Sequence, residues 1–285
     1  LYGDAAAELT NVNTGTLNLN GQLPAVGELN ISEGATLVNG SAERINDAAV
    51  VNNAGTMTLA GDENVTTFNA DGGLLDGSGL LTAETYNLND GTATAAGADL
   101  GTGTLNSGPG EVTLEGNTNA NAINIESGAL NTNGAVQNQR GVITVASEAT
   151  WNVNSSYTYD TLRGEGTVDP GALNGNTFRN ENTISPGSAL GTLTIAGDYI
   201  ESGIYHAQLD QAPVSDTLQV TGSVTLEADS RLDLSEFSGL VNGSGAVLCG
   251  ERWNIIDTPG VINGEWGEIS DVNNPGALGQ TFQSQ

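Results

Sequence analysis

No lysine occurs in this chain, and His206 and Cys249 are its single histidine and single cysteine. Each scarcity closes off chemistry. One histidine cannot supply a metal site that needs two imidazole ligands, and it leaves room for at most one Ser-His-Asp arrangement. One cysteine cannot form an intrachain disulfide; Cys249 ends the apolar run AVLC at 246–249 and reads as a small core residue rather than a nucleophile. Positive charge is scarce as well. Against 34 acidic residues stand six basic ones, all arginine, for a net charge of −28. Such a surface repels phosphate backbones and opposes docking on anionic lipid, so nucleic acid is excluded as a partner. Aromatic residues make up 5% of the chain and there are 7 prolines. A compact globule needs large side chains to fill its core, and this chain does not have them. No signal peptide or membrane span is visible, and the chain opens in mid-pattern at Leu1, as a piece of a longer polypeptide would.

What is present is repetitive. Gly accounts for 40 of 285 residues, twice the average of about 7%, with Asn, Thr and Ser abundant beside it. One phrase, Gly-x-(Leu/Met/Val)-x-(Leu/Ile)-x-Gly, appears as GTLNLNG (15–21), GTMTLAG (55–61), GEVTLEG (110–116) and GTLTIAG (191–197). A second joins two short alternating segments across a small turn: ELNISEGATLV (28–38), NAINIESGALN (121–131), GVITVASEATWNV (141–153) and SVTLEADSRLDL (223–234). The period of two marks strands with one buried face. Each strand carries two or three inward apolar residues and cannot bury them alone. Stacked coil upon coil, the same residues form continuous ladders, with Gly and Asn at the corners. From Ile125 to Val145 the step is twenty residues. Residues 1–157 therefore predict about eight coils, and parallel crossovers favour the right hand. A boundary falls near Tyr157, after which Pro170 and Pro186 punctuate the chain. The segment DYIESGIYHAQL (198–209) reads as a hairpin turning at 201–203. Two further strands carry Trp253 and Trp266, and residues 271–285 read as a polar tail.

The phrase ISPGSALGTLTIAGDY (184–199) followed by SDTLQVTGSVTL (215–226) resembles the C-terminal passenger region of bacterial autotransporters, over roughly 177–270. The resemblance implies a parallel β-helix closed by a capping segment, the autochaperone, with an outer-membrane β-barrel encoded downstream. It supplies no ligand.

Residues able to carry chemistry are few. His206 alternates out of phase with Tyr205, Ala207 and Leu209 and is expected to face solvent. Ser78 and Ser244, in DGSG and NGSG, are turn residues without a base. The acids that a β-helix glycosidase or lyase would need have their nearest candidates in Asp62 with Glu63, Glu43 with Asp47, and Asp71 with Asp76. Neither an Arg-x-Lys phrase nor an adjacent Asp-Asp pair accompanies them. DGGLLDGSG (71–79) is a single imperfect copy of a calcium β-roll repeat and reads as a turn. Asn-x-Ser/Thr phrases at Asn30, Asn39, Asn64, Asn154 and Asn242 are expected by chance in this composition.

The sequence thus predicts an all-β, right-handed parallel β-helix over 1–157 and a helix end with a β-hairpin or sandwich-like cap over 158–285. Catalytic, cofactor and metal residues are expected to be none, beyond diffuse binding of Ca²⁺ by the acidic surface. Through the resemblance, the expected role is a non-enzymatic stalk or adhesin region of a Gram-negative, type V secreted surface protein. Its partner would be a surface receptor, a glycan or another copy of itself. In that role the C-terminal segment, through inward residues such as Leu193, Ile195, Leu218, Val220 and Leu226, nucleates folding. A self-associating filament or surface-layer subunit, and a β-helix polysaccharide hydrolase or lyase, are the alternatives.

Overall fold

The computed structural model describes residues 8–47, 49–137, 141–171, 175–187, 190–210, 214–236 and 253–271. Cys249, Asn242, Ser244 and the tail 272–285 lie outside them. Among the described residues there is no α-helix; the chain is a β-solenoid of short parallel strands. It divides into two compact units, 1–144 with 149–159, and 145–148 with 160–285.

In the first unit the strands Leu9–Val12, Glu28–Ile31, Val50–Asn53, Glu63–Ala70, Leu80–Leu88, Thr104–Ser107 and Ala122–Ile125 follow one another in one parallel sheet. Gly15–Leu19, Ala35–Asn39, Thr56–Leu59, Leu74–Gly77, Ala93–Thr94, Glu111–Leu114, Gly128–Thr132 and Ala149–Val153 make a second. A third side is marked by single bridges, Leu23 with Ile45 and Leu100 with Thr118, and by the pair Val136–Gln137 with Tyr157–Thr158. The coil step follows from the register: Val50 pairs with Thr67, seventeen residues on, and Glu28 with Val50, twenty-two on.

Alternation places Leu29, Val51, Phe68, Tyr86, Leu105 and Ile123 in one inward column, each at most 1% exposed. Burying each such side chain is worth about 1.5–3 kcal/mol, which no isolated strand could gain. Trp151 is the largest side chain of this core, and its indole Nε1 donates to Thr132 Oγ1 at 3.0 Å. Corners stack as closely as strands. A Cβ on Gly55 would lie 2.4 Å from the carbonyl oxygens of both Ser32 and Ala35 in the coil before, so only glycine fits there.

The second unit has three parallel sheets. Thr161–Gly164, Thr183–Pro186, Ile204–Leu209, Arg231–Glu236 and Glu268–Asp271 form one. Thr167–Asp169, Thr192–Ile195, Thr217–Val220 and Ile256–Asp257 form another, and Thr177–Asn180, Asp198–Glu201, Val224–Leu226 and Ile262–Gly264 the third. Leu193, Ile195, Leu218, Val220 and Leu226 point inward as the alternation predicts. The expected hairpin at 201–203 is instead a corner. Asp198–Glu201 pairs in parallel with Thr177–Asn180 and Val224–Leu226, and Ile204–Leu209 with Thr183–Pro186 and Arg231–Glu236. The reason lies in where the turn's N–H groups go. Ile204 N donates to Asn182 O of the preceding coil at 2.6 Å, and Gly203 N to the Glu201 carboxylate at 2.7 Å. A local Glu-Ser-Gly turn therefore continues the winding and does not fold the chain back on itself.

Candidate functional site

His206 does stand outward, while Tyr205 and Ala207 are fully buried; Leu209 is half-exposed. Its Nε2 lies 3.0 Å from Ser235 Oγ, a pairing that the sequence reading did not foresee. Burial of the ring lowers its pKa, against the opposing charge of Asp233. The third member of a triad is engaged elsewhere: Asp233 accepts from Arg231 Nε at 2.5 Å and from Ser270 Oγ. On this face the backbone runs in parallel ladders on both sides of Arg231–Glu236. Its N–H groups are thus engaged in the sheet.

Four of the paired carboxylates take separate partners. Asp62 turns out and accepts Leu80 N at 2.9 Å, whereas Glu63 turns in and is fully buried. There it accepts Asn39 Nδ2, Arg44 N at 2.6 Å and Ile45 N at 3.1 Å, and desolvation raises its pKa. Glu43 is tied to Asn64 Nδ2 at 2.8 Å, and Asp76 caps the following Gly77 N at 2.7 Å. Ser78 sits in a turn with its N–H on Leu59 O. Among the described residues no three of His, Cys, Asp and Glu gather as a metal site.

Besides Asp233, the second unit buries two acids among its described residues. Glu201, fully enclosed, accepts Asn180 Nδ2 at 2.7 Å, Gly203 N at 2.7 Å and the hydroxyl of Tyr199. Burial pushes its pKa up to about 7. Asp216 accepts Gly191 N and Gln208 N, both at 2.9 Å, and burial raises it to about 6. These groups tie the backbone N–H groups of Gly203, Gly191 and Gln208 in place.

A different feature dominates the first unit. Six strands repeat a triplet with asparagine between two inward residues: LNI (29–31), VNN (51–53), FNA (68–70), YNL (86–88), LNS (105–107) and INI (123–125). Together with Asn11 their central asparagines stack into a seven-rung ladder. Asn30 Nδ2 donates to Asn11 Oδ1 at 2.9 Å, Asn52 to Asn30 at 2.7 Å, and Asn69 to Asn52 at 2.8 Å. Asn87 donates to Asn69 at 2.8 Å, Asn106 to Asn87 at 2.9 Å, and Asn124 to Asn106 at 2.9 Å. Beside it Thr67, Thr85 and Thr104 form a second outward column. Charge touches this face at few points: Glu28 accepts a second bond from Asn52 Nδ2 at 3.1 Å, and Glu84 and Asp71 are exposed on the strand Leu80–Leu88 and just after Ala70. At one end a depression of about 320 Å³ is lined by Asn30, Asn52, Asn69, Asp71 and Asn89. Asparagine was expected at corners; the signal for the ladder was its mid-strand position in each triplet.

No protein-family model, curated protein or solved structure matches this chain.

Proposed function

We propose that this chain is a non-catalytic, surface-displayed stalk or adhesin region of an autotransporter-type protein, exported by a Gram-negative cell. In this reading the segment after residue 157 nucleates winding of the coils, and the first unit presents the contact face. The observation that carries it is the seven-rung amide ladder. A long, regular, outward polar face suits recognition of an extended partner, whereas hydrolysis needs two carboxylates held across one bond. Asp62 and Glu63, the adjacent candidates, face opposite ways.

The test is adhesion itself. Beads coated with the folded chain should settle on bacterial or host cell surfaces, and beads coated with heat-unfolded chain should not. Equal retention of both, or of neither, defeats the reading.

A further inference from the structure

We infer that the amide-lined face of the first unit, from the depression at Asn30, Asn52, Asn69, Asp71 and Asn89 along the amide ladder to Asn124, binds a neutral polysaccharide. The inference deepens the adhesive reading above and rests on it.

The ligand class follows from what the face offers. An asparagine amide has two N–H donors and two acceptor lone pairs. Asn69, Asn87 and Asn106 each use one donor on the rung below and one acceptor for the rung above. One of each remains, repeated at the strand spacing of about 4.7–4.9 Å. A hydroxyl group is both donor and acceptor, so a polymer bearing hydroxyls at regular intervals satisfies both halves of these three rungs, while Asn52 already donates to Glu28 and Asn30. The threonine column beside the ladder adds more of the same.

Other polymers fit less well. A polyanion would meet a chain of net charge −28 and be repelled. A cationic partner would prefer the acidic remainder of the surface to this strip. An extended peptide recognised through its backbone needs an open sheet edge, and each strand from Glu28–Ile31 to Thr104–Ser107 is paired on both sides. The depression matches the lower end of small-ligand sites, about 300 Å³, room enough to seat a sugar unit. Asp71 there supplies a carboxylate able to accept from two neighbouring hydroxyls. No aromatic side chain faces outward among these rungs, so each unit binds weakly and affinity grows with the length of chain engaged.

The experiment titrates the full chain with a dextran, a mannan and a galactan, and with polygalacturonate as the acidic control. At least one neutral polymer should bind, more tightly as its length increases. Binding should persist at 1 M salt, where the screening length falls to about 3 Å. The double variant Asn69→Thr/Asn87→Thr should weaken it about tenfold or more, with an unchanged circular dichroism spectrum. Asp71→Asn, at an exposed turn, provides an independent loss should the double variant misfold. Asn152→Thr on the other sheet should change nothing. Failure of every neutral polymer to bind, binding of polygalacturonate alone, or indifference to both ladder and Asp71 variants overturns the inference. If coated beads adhere to cells but neutral polymers neither bind nor compete, the inference falls and the adhesive reading stands. If the polymers bind but the beads adhere to nothing, the reverse holds.

Discussion

The first unit steps from Val50 to Thr67 and from Glu28 to Val50 in one coil, whereas the second steps from Thr183 to Ile204 and from Val224 to Ile262. Short, even coils keep the same residue type above itself, and polar ladders grow on the outside while aliphatic ones grow within. Longer, uneven coils cannot do this. The outward column of the second unit reads Arg163, Ser185, His206, Asp233 and Ser270, with no repeated residue except serine. Its interior differs too. Phe178 and Tyr199 stand in one register column there, Tyr205 stacks on Trp266 at 6.1 Å, and two raised-pKa carboxylates are buried among the described residues, against one, Glu63, in the first unit. On the proposed reading, regularity serves display in one unit. The less regular coils of the other carry a third sheet of four strands and the buried acids Glu201 and Asp216.

That contrast can be broken most severely by removal. Deleting 158–285 should leave 1–157 unfolded or aggregated by far-ultraviolet circular dichroism, since the initial coil is the costly one. A cooperative melt of 1–157 alone would show that the even coils need no starter. Within the first unit, Trp151→Ala should cost about 3–5 kcal/mol in thermal or denaturant unfolding, because the indole is 1% exposed and its N–H would no longer satisfy Thr132. A loss below about 1 kcal/mol would mean that the aliphatic ladders, not this side chain, hold the unit.

The third prediction sharpens the comparison by pH. Glu201 has its pKa raised from 4.5 to about 7 and Asp216 from 3.8 to about 6, both by burial. A raised folded-state pKa means that the native protein keeps a proton which the unfolded chain has released. Stability is then full at acidic pH and falls as pH rises through about 4 to 7, by on the order of 3 kcal/mol for Glu201. Melting temperature should therefore drop between pH 4.5 and pH 7.5, and Glu201→Gln should flatten the drop. Parallel profiles for the two proteins would place the pH dependence in general charge repulsion rather than in this residue.

Much of the fold was legible because alternation is local. Leu218, Val220 and Leu226 declare their face by spacing alone, and the Gly-x-Leu-x-Leu-x-Gly phrase always lands in the second sheet, at Gly15–Leu19, Thr56–Leu59, Glu111–Leu114 and Thr192–Ile195. The two-strand phrase is less faithful. At 28–38 it bridges the first and second sheets, but at 223–234 it joins Val224–Leu226 to Arg231–Glu236 around a different corner. What stayed hidden depends on register between coils. Asn69 and Asn87 become neighbours only once seventeen- to twenty-two-residue steps are aligned, and composition alone assigns asparagine to turns. His206 meets Ser235 across a coil of irregular length, so no spacing rule links them. Glu63 follows Asp62 in sequence yet faces the opposite way, because alternation separates neighbours across the sheet.

The most direct measurement compares bead adhesion of three full-length proteins: the parent chain, Asn69→Thr/Asn87→Thr, and His206→Ala. If the chain works by display, the ladder variant should lose most of its adhesion and the histidine variant should keep all of it. Adhesion that survives in the ladder variant, or disappears with His206, would contradict the assignment of function to the amide face of the first unit.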